Sequence, residues 1–187
     1  MKKIILFLLS IIPTLAFSQL TTINPDTVCY QTNGSIYSVN NVASVNYVWS
    51  VVAPGVITSG QGSNQITVNW SAANPGLIPN AVSVYATNAA GCQSPPVNLN
   101  VFILNIVVNA TPINPLCETS PCINLVANPI GGVWTGSGIN GNQFCPGLSG
   151  PGQYNLTYTV TLGGCIFTDV IIANVSQQPV LLPIQHN

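Results

Sequence analysis

The chain has 187 residues and carries only two basic side chains, Lys2 and Lys3, and three acidic ones. Charged residues make up 3% of the sequence, against about a quarter in a typical globular protein. Binding to nucleic acid or to an anionic membrane surface depends on clustered Lys and Arg, so both partners are excluded. The 47% of hydrophobic residues favour a folded chain over a disordered one.

Residues 1–18 have the features of a secretory signal peptide. Lys2 and Lys3 precede an apolar stretch that reaches Phe17, and small residues at positions 16 and 18 place cleavage before Gln19. The apolar stretch is too short for a transmembrane anchor. We therefore expect a secreted or cell-surface protein, with no membrane insertion after cleavage and with no Lys or Arg in its mature part.

Short strands with alternating apolar and polar residues follow along the rest of the chain. Gly and Pro separate them, and we find no amphipathic helix of useful length after the signal peptide. The last two strands predict a hairpin around residues 162–164. Many short strands with turn signals between them predict an all-β sandwich. The predicted strands are 45–51, 65–70, 81–86, 96–101, 154–160 and 165–172.

One order of marker residues occurs twice along the chain. In each half, Ile-Asn-Pro comes shortly before a first cysteine, and a tryptophan and a Gly-rich turn come next. A tyrosine then stands seven residues before a second cysteine, which directly follows a glycine. Such internal repetition indicates tandem domains of one design. We therefore predict two β-sandwich domains, 19–104 and 105–178, and a flexible tail, 179–187. The repeated markers are Cys29, Trp49, Tyr85 and Cys92 in the first half, and Cys117, Trp134, Tyr158 and Cys165 in the second half.

Six cysteines in an exported chain indicate disulfide bonds. Six cysteines allow fifteen pairings, which the repeat narrows to one equivalent bridge within each domain and an extra bridge in the second domain between the two cysteines left over. A zinc site is disfavoured, because there is no second closely spaced pair and no nearby His. The predicted bridges are Cys29–Cys92, Cys117–Cys165 and Cys122–Cys145.

A tryptophan between two cysteines is typical of an immunoglobulin-type sandwich, where it packs on the bridge in the core. We therefore expect Trp49, Trp134, Tyr85 and Tyr158 in the two cores. The tyrosine corner of true immunoglobulins, two residues before the second cysteine, is missing, so the topology is Ig-like only. Trp70 ends its strand just before a turn, and we expect it to pack in the core. The alternative, which makes Trp70 the candidate ligand-binding residue, is an exposed ring that binds sugar.

Two sets of segments stand out after the signal peptide. They are 35–39, 47–51, 57–68 and 86–92 in the first half, and 131–136, 144–146, 150–158 and 164–165 in the second half. The first set resembles PKD-like domains of bacterial surface proteins, which are Ig-like sandwiches, and the second set resembles a companion repeat of the same proteins. The resemblance covers nearly all of the mature chain and implies an adhesin or gliding-associated protein of a Gram-negative bacterium, exported by the type IX route, with a spacer or adhesion role and no catalysis.

The residues themselves also argue against an enzyme. His186 is the only His and stands next to the C-terminus, where order is rare. Glu118 and Asp169 flank the predicted Cys117–Cys165 bridge, but two acids without positioning groups are most simply solvated strand ends. We expect no metal and no cofactor, because three scattered acids do not form a calcium loop.

The predicted function is therefore a non-catalytic structural or adhesion module. Two alternatives stay open, a carbohydrate-binding module and a subunit of a self-associating extracellular fibre. The expected partners are other surface proteins, glycans or copies of the chain itself. A surface with so little charge repels copies of itself only weakly, which favours self-association.

Overall fold

The computed structural model describes residues 25–184 and His186, so the predicted signal peptide 1–18 lies outside the described residues. In this part the chain is all-β, with one helix of four residues, α1, at Pro146–Ser149. No helix within the described residues is long and apolar enough to cross a membrane. Residues 177–184, which overlap the predicted tail, form neither helix nor strand.

The first part of the chain forms seven strands in two sheets. The strands are β1 (Asp26–Cys29), β2 (Ser35–Ser38), β3 (Val45–Val51), β4 (Val56–Ser59), β5 (Gln65–Asn69), β6 (Gly76–Asn88) and β7 (Val97–Leu104). One sheet has the order β1-β7-β6-β3, and the other has the order β2-β5-β4. Both sheets bury one face and expose the other, as in a β-sandwich.

Alternation of side chains along β3 explains which residues enter the first core. Trp49 is 4% exposed, and its indole N–H donates to Ser63 O at 2.8 Å. Trp49 lies opposite Val84 on β6, which is also buried. The next residue, Tyr85, points to the other side of the sheet because successive side chains alternate. Tyr85 is therefore only half-buried, which corrects its predicted place in the core.

The second part of the chain forms the remaining nine strands. They are β8 (Asn109–Ala110), β9 (Leu116–Cys117), β10 (Ile123–Asn124), β11 (Ala127–Asn128), β12 (Val133–Thr135), β13 (Ile139–Asn140), β14 (Gln143–Phe144), β15 (Gly152–Leu162) and β16 (Cys165–Ser176). The main sheet has the order β12-β15-β16-β9, and smaller sheets have the orders β10-β14-β13 and β11-β8.

The hairpin of β15 and β16 dominates the second part. Its pairing runs from Gly152↔Val175 to Leu162↔Cys165, and Gly163 and Gly164 make the turn. Both glycines have positive φ, 57° and 79°, which side chains other than glycine's rarely adopt. The alternating pattern at 154–160 and 165–172 thus predicts this hairpin correctly.

The inner face of this hairpin covers a single hydrophobic core. Trp134 and Tyr158 stack in a tilted arrangement with ring centroids 5.0 Å apart. The Tyr158 hydroxyl accepts the Gly132 N–H at 2.7 Å and donates to Pro129 O at 2.9 Å, so its polar end is satisfied. The buried members of the core are Ala110, Leu125, Trp134, Phe144, Leu156, Tyr158, Val160, Ile171, Ala173 and Val175.

The two four-stranded sheets share one strand order. The orders are β3-β6-β7-β1 and β12-β15-β16-β9. In each sheet the first of these strands contains a tryptophan, the second is long, the third runs back beside it, and the fourth ends in a cysteine. In both, the residue after that cysteine donates its N–H to the last residue of the returning strand. The pairs are Tyr30 N to Leu104 O at 2.9 Å and Glu118 N to Ser176 O at 3.0 Å.

The described chain divides into two compact units. The first contains residues 31–73 and 77–102, together with Asp26. The second contains residues 27–30 and 74–76 and the chain from Ile103 onward. The bounds 19–104 and 105–178, as tandem domains of one design, stay a prediction.

Candidate functional site

The outer side of the hairpin sheet in the second unit is the candidate interaction surface. Strand alternation turns every second side chain of β12, β15 and β16 away from the core. We call this surface the outer face, and its members are half-buried or exposed. They are Val133, Thr135, Asn155, Thr157, Thr159, Thr161, Ile166, Thr168, Val170 and Ile172.

Pairing between strands arranges these side chains in rows across the sheet. Thr159 lies between Val133 and Thr168, and Thr157 lies between Thr135 and Val170. Cross-strand neighbours stand about 5 Å apart, so methyl and hydroxyl groups of adjacent rows form a continuous patch. The sequence signal that could have found the patch is the threonine at every second position from 157 to 161.

The chemistry of the outer face is neutral. It presents branched methyl groups and hydroxyls, and none of its members carries a charge. Ile166 is 70% exposed and Val133 63%, while Val170 and Ile172 are 50% exposed. Contiguous exposed apolar groups on a soluble protein mark an interaction surface more often than scattered ones do. The face is therefore suited to a partner that is itself uncharged.

A rigid layer supports the outer face from beneath. Leu156 and Val160 alternate with the outward threonines of β15, and Ile171 and Ala173 do so on β16. All four are buried in the core of the second unit. Their packing fixes the backbone that carries the outer face, so the rows are preorganised for contact.

The disulfides differ from the sequence prediction in two of three bridges. Cys122 is bonded to Cys145, as predicted, with a Cα–Cα distance of 4.1 Å. Cys29, however, is bonded to Cys165, with a Cα–Cα distance of 5.4 Å, and both residues belong to the second unit. The predicted pairs Cys29–Cys92 and Cys117–Cys165 are therefore wrong.

Strand register explains why the predicted pairs do not form. Cys117 lies beside Ser176, at the end of β16, whereas Cys165 begins that strand. Eleven residues of extended strand span roughly 35 Å, far beyond the 4.4–6.8 Å between the Cα atoms of a disulfide. Likewise, Cys29 precedes Tyr30, which pairs at the end of β7, while Cys92 comes before β7 begins.

Cys92 and Cys117 are both free and exposed. Cys92 ends a turn in which the Asn88 side-chain oxygen accepts the N–H groups of Ala90 and Cys92, each at 3.0 Å. Cys117 lies on the edge strand β9, and its N–H donates to Ser120 Oγ at 3.1 Å. Both thiols are thus held by an ordered backbone and face solvent.

Trp70 does not form a sugar platform. Its side chain is 0% exposed, and its indole N–H donates to the Tyr37 hydroxyl at 3.0 Å in an edge-to-face pair with centroids 6.5 Å apart. The alternative of an exposed ring at this position is wrong, because Trp70 lies on the same buried face as Ile66 and Val68 and packs against Tyr37. Burial raises the pKa of Tyr37.

The two candidate acids lie on the same sheet but far apart. Asp169 Oδ2 accepts the Ala110 N–H at 2.7 Å, and Glu118 Oε1 accepts the Gln178 N–H at 3.0 Å. Glu118 follows β9 at the end of β16, seven residues from Asp169, which corresponds to roughly 20 Å. Each carboxylate thus accepts a backbone N–H within the second unit. The third candidate, His186, is exposed. Residues 25–184 contain no group of three or more His, Cys, Asp or Glu that could hold a metal ion.

The fold and the surface define an all-β, Ig-like, disulfide-bonded protein. Residues 16–101 match the family model of the PKD-like domain, which supports an Ig-like repeat domain in this part of the chain. No curated protein matches the chain.

Comparison with solved structures finds matches of low sequence identity and low TM-score. Fibronectin(III)-like modules of Clostridium thermocellum CbhA share 14% identity over 89% of this chain and 97% of that chain, with a TM-score of 0.35. An I-band fragment of titin shares 12% identity over 82% of this chain and 64% of that chain, with a TM-score of 0.36.

Proposed function

We propose that this protein is a non-catalytic adhesion and spacer module of the cell exterior, which makes contact through the outer face of its second unit. The observation that carries the proposal is the neutral, exposed set of rows on β12, β15 and β16. The Ig-like fold is compatible with a structural or adhesion role. The two disulfides suit an extracellular environment, where such bonds persist.

The partner follows from the chemistry of the face. Methyl and hydroxyl groups gain by excluding water from an uncharged surface and gain nothing from a charged one. We therefore propose an uncharged surface of another extracellular protein as the partner. The buried position of Trp70 removes the main support for the alternative of a carbohydrate-binding module.

The cell biology of the proposal rests on sequence features. The signal peptide at 1–18 and the PKD-like segments support export to the surface of a Gram-negative bacterium by the type IX route. Fractionation of cells that express the tagged chain tests this part separately. Recovery from the medium or the outer surface is expected, and retention in the cytoplasm would overturn it.

Binding to a mixed monolayer of methyl- and hydroxyl-terminated silanes on glass tests the outer face directly, because this support does not react with the exposed thiols of Cys92 and Cys117. The purified chain should adsorb, and raising the salt from low to high concentration should leave the affinity unchanged, because there is little charge to screen. The variant Val170→Lys/Ile172→Lys should bind about tenfold more weakly or worse, since burying two such half-exposed side chains is worth on the order of 1.5–3 kcal/mol.

The matched control is Ile36→Lys/Val56→Lys, at two exposed aliphatic residues on strands β2 and β4 of the first unit. It adds the same two charges away from the outer face and should bind as the wild type does. Equal losses in both variants would contradict the proposal, because adsorption would then depend on net charge alone. Glycan-array binding that survives the outer-face substitutions would favour the carbohydrate alternative instead.

A further inference from the structure

The free cysteines Cys92 and Cys117 stand at the positions that the other repeat uses for its bridge. Cys117 ends the edge strand β9, as Cys29 ends the edge strand β1. Cys92 directly follows a glycine and stands seven residues after Tyr85. In the same way, Cys165 directly follows a glycine and stands seven residues after Tyr158. The bonded pair Cys29–Cys165 therefore joins an edge-strand cysteine of the first repeat to a hairpin cysteine of the second.

This bond links one repeat to the next repeat along the chain. The edge-strand cysteine of the first repeat bonds to the hairpin cysteine of the repeat that follows it, and not to the hairpin cysteine of its own repeat. By the same rule Cys117 requires a hairpin cysteine of a following repeat, and Cys92 requires an edge-strand cysteine of a preceding one. A second copy of the chain supplies both.

We propose that Cys117 of one copy forms a disulfide with Cys92 of another copy, so that copies join head to tail. Each chain carries one thiol of each kind, so the contact is heterologous and can be repeated along a linear assembly. The cysteines of the observed bridge, Cys29 and Cys165, show that the two positions are compatible in geometry.

The surroundings of the observed bridge show how the tip of the second copy would dock. Beside Cys165, a Cβ placed on Gly163 would lie 3.1 Å from Leu104 Cδ2 and 3.4 Å from Thr27 Cγ2, all within the second unit. The hairpin tip is thus in close contact with the strand ends next to Cys29. The corresponding tip residue in the first repeat, Ala90, is exposed.

The matching strand ends next to Cys117 are also accessible. Pro115 stands two residues before Cys117, as Thr27 stands two residues before Cys29. Ser176 accepts a hydrogen bond from the residue after Cys117, as Leu104 accepts one from the residue after Cys29. Both Pro115 and Ser176 are exposed. The docking position is therefore built on one repeat and open to a second molecule.

The chemistry is thiol–disulfide exchange with a small-molecule disulfide such as oxidised glutathione as the oxidant. The thiolate of Cys117 attacks the small disulfide, which forms a mixed disulfide and releases one thiolate. The thiolate of Cys92 from a second copy then attacks the Cys117 sulfur and expels the other. Two protein thiols are oxidised, one small disulfide is reduced to two thiols, and two protons pass from the protein thiols to these products.

The test uses the purified chain in a glutathione redox buffer, with non-reducing electrophoresis and mass-spectrometric mapping of an equal mixture of isotopically light and heavy protein. The expected result is a ladder of oligomers with mixed light–heavy Cys92–Cys117 links. Links that are only light–light or heavy–heavy would place the bond within one chain and overturn the proposal. So would persistence of both thiols in the oxidising buffer.

Single-cysteine variants make the direction of the contact measurable. Cys92→Ser and Cys117→Ser should each remain monomeric or form symmetric dimers slowly, while their mixture should form one heterodimer about tenfold faster. Random collision of exposed thiols would instead give symmetric and mixed links in statistical proportion, and this outcome would refute a built contact. In concentrated urea the preference should vanish, because it depends on the folded tip.

A surface variant separates docking from thiol reactivity. Ala90→Glu places a charge on the exposed tip beside Cys92, and Ala72→Glu places the same charge on another exposed loop of the first unit. Ala90→Glu should slow heterodimer formation severalfold more than it slows the reaction of Cys92 with a small neutral disulfide, since a nearby carboxylate also lowers the reactivity of the thiol. Ala72→Glu should change neither rate, and equal urea midpoints confirm that both variants fold. Equal rates in both variants would overturn the docking of the tip.

Discussion

Removing each disulfide in turn tests the pairing and the energetics of the second unit. The variant Cys29→Ala/Cys165→Ala opens a bridge with a sequence separation of 136, and Cys122→Ala/Cys145→Ala opens one with a separation of 23. In the chain-entropy model, these loops correspond to about 5 and about 3.4 kcal/mol of stabilisation. The first variant should therefore lose about 1.5 kcal/mol more.

The two variants are matched in their local packing. Each bridge joins one buried sulfur, from Cys165 or Cys145, to a more exposed one, so the contact loss is similar and the loop length makes the difference. Urea denaturation followed by circular dichroism, with a common slope for both variants, measures the free energy of unfolding. A larger loss for the shorter loop would refute the reasoning, as would peptide mapping that finds Cys29 bonded to Cys92.

Three further predictions concern the first unit. Tyr37→Phe leaves the buried Trp70 indole N–H without its acceptor and should lower the free energy of unfolding by about 1–3 kcal/mol, whereas Tyr30→Phe at an exposed site should be nearly neutral. Because burial raises the pKa of Tyr37 above its unfolded value near 10, the stability that Tyr37 contributes is complete below about pH 10 and is lost at higher pH. Above pH 10, the difference in the free energy of unfolding between wild type and Tyr37→Phe should fall by up to about 1.4 kcal/mol per pH unit. A difference that does not change with pH in alkaline urea titrations would contradict this. Gly55→Ala places a Cβ against the Trp70 ring, closer than van der Waals contact, and should cost about 1–3 kcal/mol by overpacking. Gly147→Ala meets only an ordinary contact at 3.5 Å and should be neutral or stabilising in thermal unfolding.

Local pattern predicts the strands well in this chain because alternation is a local property. Residues 45–51 form β3, and the predicted turn at 162–164 joins β15 to β16. Alternation shows whether a given side chain is buried only when it is known which face of the strand points to the core. Tyr85 and Tyr158 hold equivalent places in the repeat, yet only Tyr158 lies opposite the tryptophan and enters the core.

Contacts between distant segments could not be predicted from the repeat. The repeat indicates which cysteines hold equivalent positions in the sequence, but pairing depends on which strand ends meet, and β9 reaches β16 at the end opposite Cys165. For Trp70, alternation with Ile66 and Val68 is local and indicates burial, whereas its hydrogen-bond partner, Tyr37, lies 33 residues earlier and could not be predicted. The outer face also required the register of three strands before its rows could be recognised.

The bridge between Cys29 and Cys165 has a mechanical consequence for a spacer. When the chain is pulled from its two ends, tension passes directly across this covalent bond, and the 135 residues between the two cysteines carry no load. Without the bond, the same segment could lengthen by roughly 450 Å on full extension. When the load enters through the two ends of the chain, the oxidised protein therefore behaves as a nearly inextensible link, and a reductant should convert it into a long extensible tether.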